Sequence, residues 1–346
     1  MADIEIINLK KVYTGGKVAV ENFNLTIDGG EFVVLLGPTG AGKTAVLRTL
    51  CGLDEVSGGE IKLNGEVINE SLPKDRNMAV LFKSVGLYPY LNVYDNLAFG
   101  LKMRKMPRAA IEQRVYFVAK LLGIGNILGK KPKALSALER VKVSIGRAVM
   151  RQSKLILIDD PLSGFDDNLK TELKNEILKV QQRLKVNVLY STKDAAEALT
   201  LADRIVYMEE GKIVQVGTPV EIYTRPATVA EALYVGTPKI NLIEGKISER
   251  EGKNYFAFAG GEMETDKRTC SRAYLAVRPE NVVAGGQFKA TASAKEQIAE
   301  DKFLTEFTFE NDSKTYLALT ETKLEGEVSL SFNDVLFFDA KTELAL

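Results

Sequence analysis

The stretch GPTGAGKT, residues 37–44, constrains the fold more than any other part of the sequence. The apolar run EFVVLL precedes it, and TAVLRTLCGL follows with apolar residues at helical spacing and a closing glycine. Its glycines let successive backbone amides curl around an anion. The helix that follows points its positive dipole end at the same place. The stretch therefore predicts a strand, a phosphate-binding loop and a helix.

The residue types in this loop predict a nucleotide site with a metal. Lys43 can reach the β- and γ-phosphate oxygens, and the Thr44 hydroxyl can ligate Mg²⁺. Such a loop needs a second metal anchor, an acid at the end of a neighbouring strand. Asp159 follows the apolar run LILI and meets that description. We expect Asp159 to be the acid on the metal side.

Composition limits the other kinds of chemistry. A chain of 346 residues without histidine has no His-based triad, imidazole metal ligand or His general base. Two cysteines, Cys51 and Cys270, cannot form a disulfide framework or a Cys-rich metal site. No apolar run approaches the roughly 18 residues of a membrane span, and the first residues do not resemble a signal peptide. We expect a cytoplasmic protein.

The order of sequence patterns predicts two domains. Strand-like and helical segments interleave over residues 1–235, which indicates an α/β domain with a largely parallel sheet. Helical patterns crowd together at about 88–150, which indicates a helical insertion. From 236 to 346 the segments are short and β-like, so we expect a small all-β domain, OB-like in type. The predicted boundary lies near 236.

Charge is distributed unevenly between the two predicted domains. Residues 236–346 carry 14 Lys and Arg against 19 Asp and Glu, although the whole chain is balanced at 46 of each. Nucleic-acid binding needs a basic face. We expect no nucleic-acid partner.

Six stretches occur in a fixed order along the chain: GPTGAGKTAVLRTLCGLDEVSGGEI, PKDRNMAVLFKSVGLYPYLNVYDNLAFGL, LSALERVKVSIGRAVM, LILIDDPLSGFDDNLK, TKDAAEALTLADRIVYMEEGKIVQVGTP and YLAVRPENV. Together they resemble the ATP-binding subunits of ABC importers. The resemblance is strongest to the maltose/sugar-type branch, which has a C-terminal regulatory β domain. It covers nearly the whole chain, and it implies that the nucleotide is ATP.

The resemblance implies roles for individual residues. Tyr13 lies where the family stacks an aromatic ring on adenine, and the alternative interpretation is a tyrosine on a strand face. Ser163 and Asp166 match polar positions of the D-loop, and Ser136 lies in the signature that the partner's site borrows. The residues implied to bind the nucleotide phosphates are Gly37, Pro38, Thr39, Gly40, Ala41, Gly42, Lys43, Thr44 and Ala45.

Four functional positions depart from the family pattern together. Lys83 occupies the position of the family's glutamine, and LSALE at 135–139 replaces the LSGGQ signature. Asp160 stands in place of the catalytic glutamate, and Lys193 in place of the switch histidine. Asp160 keeps a carboxylate but is one methylene shorter. A displacement of about 1 Å can cost on the order of 100-fold in rate. The sequence therefore predicts ATP binding more firmly than ATP turnover.

The other departures leave alternatives open. In LSALE, Ala137 and Leu138 replace glycines that let backbone amides approach the partner's γ-phosphate, and Glu139 adds a repelling charge. Ser136 and Glu139 also fit a capping box, and we favour this structural interpretation. Lys83 and Lys193 could hold γ-phosphate oxygens as point charges, or could pair with nearby acids.

The resemblance implies a subunit that couples Mg-ATP binding to a membrane permease. Its partners would be a second ATP-binding subunit, in a homo- or heterodimer, and permease subunits that dock at LYPYLNVYDNLAFGL. The location would be the inner face of the cell membrane and the cargo a carbohydrate or polyol. Two hypotheses remain: a slow ATPase that powers import, and a degenerate subunit that only holds ATP beside an intact partner. A third, a soluble ABC protein of repair or translation, is disfavoured by the docking segment and by the acidic residues 236–346.

Overall fold

The computed structural model describes residues 3–82, 86–310 and 312–346. The chain divides into two compact units, Met1–Val220 and Glu221–Leu346. The first is mixed α/β and the second is mainly antiparallel β, so the predicted fold class is confirmed. Within the described ranges no helix is both long and apolar enough to cross a membrane.

The first unit interleaves strands and helices along the chain. Its strands are β1 (Ile4–Val12), β2 (Val18–Ile27), β3 (Phe32–Leu36), β4 (Gly58–Leu63), β5 (Glu66–Val67), β6 (Met78–Leu81), β7 (Leu155–Asp159), β8 (Asn187–Thr192), β9 (Arg204–Glu209) and β10 (Lys212–Gly217). Its helices are α1 (Lys43–Leu50), α2 (Val93–Met103), α3 (Arg108–Leu122), α4 (Ala137–Met150), α5 (Asp167–Leu184) and α6 (Ala195–Leu201), and α7 (Pro219–Thr224) crosses the division between the units.

A central sheet orders the ends of the strands that carry the predicted site. Among the described residues of the first unit its order is β10-β9-β3-β8-β7-β6, parallel except for β10. All residues of β3 and β8 are buried, as expected for a parallel sheet covered on both faces. Because β8 lies between β3 and β7, the carboxyl ends of these three strands meet at one edge.

A second sheet, with the order β2-β1-β4-β5, shares a core with the central sheet and α1. The largest fully buried side chain of this sheet is Phe23. In the same cluster α1 contributes Val46, Leu47 and Leu50, and β3 contributes Val33 and Leu35. Burial of such side chains stabilises the fold by about 1.5–3 kcal/mol each. This packing fixes α1, and with it the end of the loop before it.

The predicted helical insertion consists of α2, α3 and α4, with short 3₁₀ turns at Gly125–Ile127 and Pro132–Ala134. The Asn92 side chain caps α2 by accepting from the backbone N–H of Asp95. Gly146 lets the helices approach closely, since an added Cβ would lie 2.7 Å from Leu97.

The second unit contains helix α8 (Val229–Tyr234) and a set of antiparallel strands. These are β11 (Asn241–Arg250), β12 (Lys253–Phe258), β13 (Gly261–Thr265), β14 (Cys270–Val277), β15 (Val282–Ala299), β16 (Lys302–Thr308), β17 (Tyr316–Thr320), β18 (Gly326–Phe332) and β19 (Leu336–Asp339). Among its described residues, a five-stranded sheet has the order β13-β12-β11-β14-β19 and a four-stranded sheet the order β17-β16-β15-β18. The core of this unit is rich in phenylalanine, including Phe256, Phe288, Phe307 and Phe337.

The segment from Glu221 to Val235 packs with the second unit. Arg278 is 4% exposed and donates to the carbonyl oxygens of Tyr223, Ala232 and Val235. The predicted boundary near 236 is later in the chain than the division at 220. It stays a prediction about which segment folds alone, and truncation can test it.

We expect a chain that ends at 220 to keep its ATP affinity within about threefold, because the predicted site lies wholly before that residue. A chain that ends at 235 should bind equally well but expose Val229 and Ala232, which are buried against Ile240 and Phe338. Titration calorimetry and binding of a hydrophobic dye would measure the two effects. Loss of ATP binding in a folded 1–220 chain would contradict the division.

Candidate functional site

A cleft of about 520 Å³ opens at the carboxyl-end edge of the central sheet. It collects most of the residues that the sequence predicts for nucleotide binding. Its lining is Tyr13, Lys17, Val18, Ala19, Thr39, Gly40, Ala41, Gly42, Lys43, Thr44, Ala45, Asp159, Asp160, Ser191, Thr192, Lys193, Glu210 and Gly211. Gly37 and Pro38 lie outside this lining and contribute their carbonyl groups to Lys43.

Two glycines of the loop are required by close contacts. A Cβ at Gly37 would lie 2.1 Å from the carbonyl oxygen of Met208. A Cβ at Gly42, whose φ is +96°, would lie 2.5 Å from the carbonyl oxygen of Ala19. No other residue fits without backbone movement. The loop is therefore held against β2 and β9 by contacts that only glycine permits.

Lys43 is the cation of the cleft floor. Its Nζ donates to the carbonyl oxygens of Gly37 at 2.6 Å and Pro38 at 2.8 Å. Burial lowers the pKa of Lys43, while the nearby charges of Asp160 and Asp159 act in the opposite direction. The ammonium group thus has carbonyl partners that phosphate oxygens can replace with stronger, charge-assisted bonds.

Three oxygen-bearing side chains converge on the side of the cleft where the sequence predicts a metal. Thr44 Oγ1 donates to Asp159 Oδ1 at 3.0 Å, and Ser191 Oγ donates to the same atom at 2.6 Å. Mg²⁺ is usually held by one or two carboxylates plus phosphate and water oxygens rather than by an all-protein cage. Thr44 and Asp159 fit the ion.

Asp160 lies beside Asp159 in an unusual backbone conformation. Its φ is +46°, and its N–H donates to the carbonyl oxygen of Ser191 at 3.0 Å. Asp and Asn tolerate this left-handed region better than other residues with a Cβ. Aspartate is thus well suited to the turn that places the Asp160 carboxylate in the lining of the cleft.

A buried network fixes the turn that carries Lys193. Glu197 is 3% exposed, and its Oε2 accepts from Tyr190 at 3.0 Å and Thr192 at 2.8 Å. Burial raises the pKa of Glu197, which the two hydroxyl donors partly counter. The Thr192 hydroxyl also accepts from the Asp194 N–H at 3.0 Å. The exposed Lys193 side chain is therefore presented to the cleft by a rigid turn.

Both interpretations of Lys83 and Lys193, as ligands of the γ-phosphate or as partners of nearby acids, remain open. Asp194 caps α6, and its carboxylate lies 3.7 Å from Lys170. Lys193 lines the cleft and is in a position to contact phosphate oxygens. Lys83 lies outside the described residues.

The capping-box interpretation of LSALE is confirmed. Ser136 Oγ accepts from the N–H of Glu139 at 3.1 Å, and the Ser136 N–H donates to Glu139 Oε2 at 2.7 Å. The second bond lowers the pKa of Glu139. Helix α4 therefore begins at Ala137 with an ordinary protein cap, and the segment is used structurally.

The D-loop position Asp166 also has a structural contact. It is the N-cap of α5 and accepts from the N–H of Leu169 at 3.0 Å. Neither Asp166 nor Ser163 or Ser136 is in the described lining of the cleft. Their implied roles toward a partner stay predictions.

Sequence reasoning missed several residues of the cleft. Ser191 supplies a hydroxyl to Asp159, and Lys17, Glu210 and Gly211 also line the cleft. The signal for Ser191 was present in the strand NVLYST, because β7 and β8 pair in parallel with Asp159 opposite Ser191. It could be interpreted only once the order of the strands was known.

Comparison with known proteins agrees with this geometry. The family model described as ABC transporter matches residues 20–163. The oligosaccharides import ATP-binding protein MsmX of Bacillus subtilis is 36% identical, over the whole of both chains. An uncharacterized ABC transporter ATP-binding protein, y4oS of Sinorhizobium fredii, is 42% identical over 73% of this chain and 68% of its own.

A solved structure shows the same fold. CbiO1 from Clostridium perfringens, described as part of the ABC transporter complex cbiONQ, superposes with a TM-score of 0.62 at 24% identity. The match covers 65% of this chain and 91% of that one. With the cleft and the full-length relatives, it leads to one conclusion: the chain belongs to the ATP-binding proteins of ABC transporters.

Proposed function

We propose that this protein is the ATP-binding subunit of an importer for a carbohydrate or related polyol, and that it couples Mg-ATP binding to a permease with impaired hydrolysis. The observation that carries the proposal is the contrast within one cleft. Lys43, Thr44 and Asp159 form a complete phosphate and metal side. The positions for activating water hold Asp160 and Lys193.

Different residues of the cleft bind different parts of Mg-ATP. The loop amides and Lys43 bind the phosphates, and Thr44 and Asp159 hold Mg²⁺. When bound, Mg²⁺ neutralises charge on the phosphate oxygens. Ser191 orients Asp159 through a 2.6 Å hydrogen bond, which is the kind of outer support that metal ligands need.

The water-activating side is weaker for two physical reasons. The Asp160 carboxylate is one methylene shorter than glutamate, and its backbone is pinned to Ser191, so it cannot advance to compensate. A general base contributes roughly 100- to 10,000-fold to a rate. Lys193 stands where the family has its switch histidine, and the lysine side chain is a hydrogen-bond donor without an acceptor atom. We expect a low rate of turnover.

The cargo assignment comes from the relatives. MsmX, similar along its whole length, is named for oligosaccharide import. A carbohydrate or polyol is the corresponding proposal for this chain.

A second candidate is a subunit that holds ATP without hydrolysis beside an intact ATPase. The capping box favours it, since Glu139 caps the start of α4 and would repel a partner's γ-phosphate. In such a heterodimer this chain would weaken both sites, its own through Asp160 and its partner's through 136–139. We therefore place the slow ATPase first.

Binding and hydrolysis measured side by side on the purified chain test the proposal. We expect micromolar Mg-ATP affinity and phosphate release well below the ordinary enzyme median of roughly 10 per second. Absence of nucleotide binding would refute the proposal. Binding without any release above the spontaneous rate would favour the second candidate.

The permease is proposed to dock in a groove of about 790 Å³ on the first unit. Tyr88 and Phe99 pack there with ring centroids 4.3 Å apart, and the Arg147 guanidinium lies 4.4 Å from the Tyr88 ring centre. The described rim contains cations with a single acid, which suits an acidic permease segment. The charged residues are Lys74, Asp75, Arg104, Arg147 and Arg151.

Docking there would hold the protein at the inner face of the membrane. A second copy, or a second ATP-binding subunit, would complete the nucleotide sites through the segments around Ser136 and Ser163.

Filling the groove should separate docking from nucleotide binding. Gly100 lies in α2 and lines the groove, and a Cβ there would meet nothing within 4 Å. We expect Gly100→Leu to abolish transport while leaving ATP affinity unchanged, and to stabilise α2 by up to about 1 kcal/mol. The matched control is Gly125→Leu, since Gly125 is also open but outside the groove lining. Uptake in cells that carry the permease measures the effect, and normal uptake with Gly100→Leu would exclude the groove.

A further inference from the structure

Tyr13 is held at its hydroxyl by an ion pair that no motif of the sequence indicated. Tyr13 Oη donates to Asp54 Oδ2 at 2.8 Å. Arg48 donates two hydrogen bonds to the same carboxylate, from Nε at 3.0 Å and from Nη2 at 2.9 Å. The bonds from Arg48 are the largest cause that lowers the pKa of Asp54, which therefore stays an ionised acceptor.

The ring is also held by its neighbours. Tyr13 exchanges backbone hydrogen bonds within a turn, donating to Lys17 at 2.9 Å and accepting from Gly16 at 3.0 Å. The Lys11 ammonium lies 5.1 Å from the ring centre, within cation–π range. Lys11 is itself fixed, since it is 8% exposed and its Nζ donates to the Glu55 carbonyl oxygen at 2.8 Å.

A portion of the ring nevertheless remains accessible. Tyr13 is 37% exposed and lines the cleft together with Gly40 and Thr44. A half-exposed aromatic ring beside a phosphate loop is suited to stack on a nucleotide base. The orientation of the Tyr13 ring determines whether its exposed face can contact the base.

We propose that Asp54 and Arg48 are positioning residues that hold the Tyr13 ring as the stacking platform for the nucleotide base. This rests on the proposed nucleotide-binding function. Arg48 belongs to α1, the helix that begins with Lys43 and Thr44. The Arg48–Asp54 ion pair thus connects the Tyr13 ring to the helix that follows the phosphate loop. It fixes the distance between the surface that stacks on the base and the loop that binds the phosphates.

The energetic reason is preorganisation. A tyrosine ring that rotates freely must be ordered when the base stacks on it, and the cost of ordering reduces affinity. Base–aromatic stacking changes affinity by about 5- to 150-fold. Loss of the hydroxyl anchor should remove a fraction of that effect, about 3- to 10-fold, because the ring itself remains.

The absence of tryptophan from the chain allows a direct test of the platform. The Tyr13→Trp variant carries a single indole, which keeps an aromatic face for the base but lacks the hydroxyl that donates to Asp54. We expect Mg-ATP to change its fluorescence and inorganic tripolyphosphate to leave it unchanged, because only ATP carries a base. An equal response to both compounds, or to neither while ATP binds, would overturn the platform.

An affinity series tests the positioning. We expect Tyr13→Phe and Asp54→Ala each to weaken ATP binding about 3- to 10-fold, and the double variant to be no weaker than either, because both remove one anchor. Tripolyphosphate affinity should not change. Asp54→Asn keeps an oxygen acceptor for Tyr13 and should recover some of the loss. Glu60→Ala, an exposed acid outside the cleft lining, is the control.

The outcomes separate this inference from the proposed function. A wild-type chain that binds neither ATP nor tripolyphosphate overturns both. Normal ATP binding that is unaffected by Tyr13→Phe and Asp54→Ala overturns the positioning role alone. Equal loss of ATP and tripolyphosphate in Asp54→Ala also overturns it, since the carboxylate would then act on the fold of α1 as a whole.

Discussion

Lys43→Ala is expected to weaken Mg-ATP binding by about 100-fold or more. Lys43 is the cation at the floor of the cleft, and its ammonium already lies within 2.6–2.8 Å of two loop carbonyl groups. Truncating one partner of a desolvated, hydrogen-bonded charge pair costs roughly 2–5 kcal/mol, and each 1.4 kcal/mol is about tenfold in affinity. Titration calorimetry with Mg-ATP measures the loss.

The control for this variant is Lys154→Ala, which removes an exposed lysine next to the opposite end of β7 from Asp159. It should bind ATP like the wild type, and both variants should keep the wild-type circular dichroism. Equal ATP binding by Lys43→Ala and the wild type would show that the loop is not the nucleotide site.

The phosphate loop could be predicted from the sequence because its requirements are local. GPTGAGKT is one contiguous stretch, residues 37–44, with an apolar run directly before it and apolar residues at helical spacing directly after it. The capping box at Ser136 and Glu139 is local too, since the pair is three residues apart. These features depend on neighbours in the chain and are therefore visible in it.

The rest of the site depends on contacts between distant residues. Tyr13 and Asp54 are 41 positions apart, and Ser191 meets Asp159 only because β7 and β8 are adjacent. The same reason explains the position of the division between the units. Arg278 holds the segment around Ala232 by hydrogen bonds across 46 positions, which no periodicity indicates.

Restoring the family residues at all the altered positions is expected to give the largest increase in the rate of ATP hydrolysis. Asp160→Glu alone should raise ATP hydrolysis only slightly. The residues at the other altered positions remain, and residues that act as a unit are strongly non-additive. The left-handed backbone at Asp160 also suits glutamate less well than aspartate.

Restoring the full set should instead raise hydrolysis by orders of magnitude, since a placed base alone is worth roughly 100- to 10,000-fold. The set is Lys83→Gln, Ala137→Gly, Leu138→Gly, Glu139→Gln, Asp160→Glu and Lys193→His. The structure adds a cost to this variant. The glycines and the lost Glu139 carboxylate weaken the start of α4, with each glycine costing up to about 1 kcal/mol. The melting temperature of this variant should fall, so its rate of ATP hydrolysis should be measured well below that temperature.

Asp159→Ala separates metal binding from water activation. It removes the carboxylate that accepts from Thr44 and Ser191, so it should weaken Mg-ATP binding itself, whereas Asp160→Glu should leave binding unchanged. Steady-state phosphate release on the wild type, both single variants and the restored variant, with matched binding measurements, gives the comparison. If the wild type already turns over at roughly 10 per second, the enzyme median, Asp160 is an adequate base and the altered motifs do not impair catalysis.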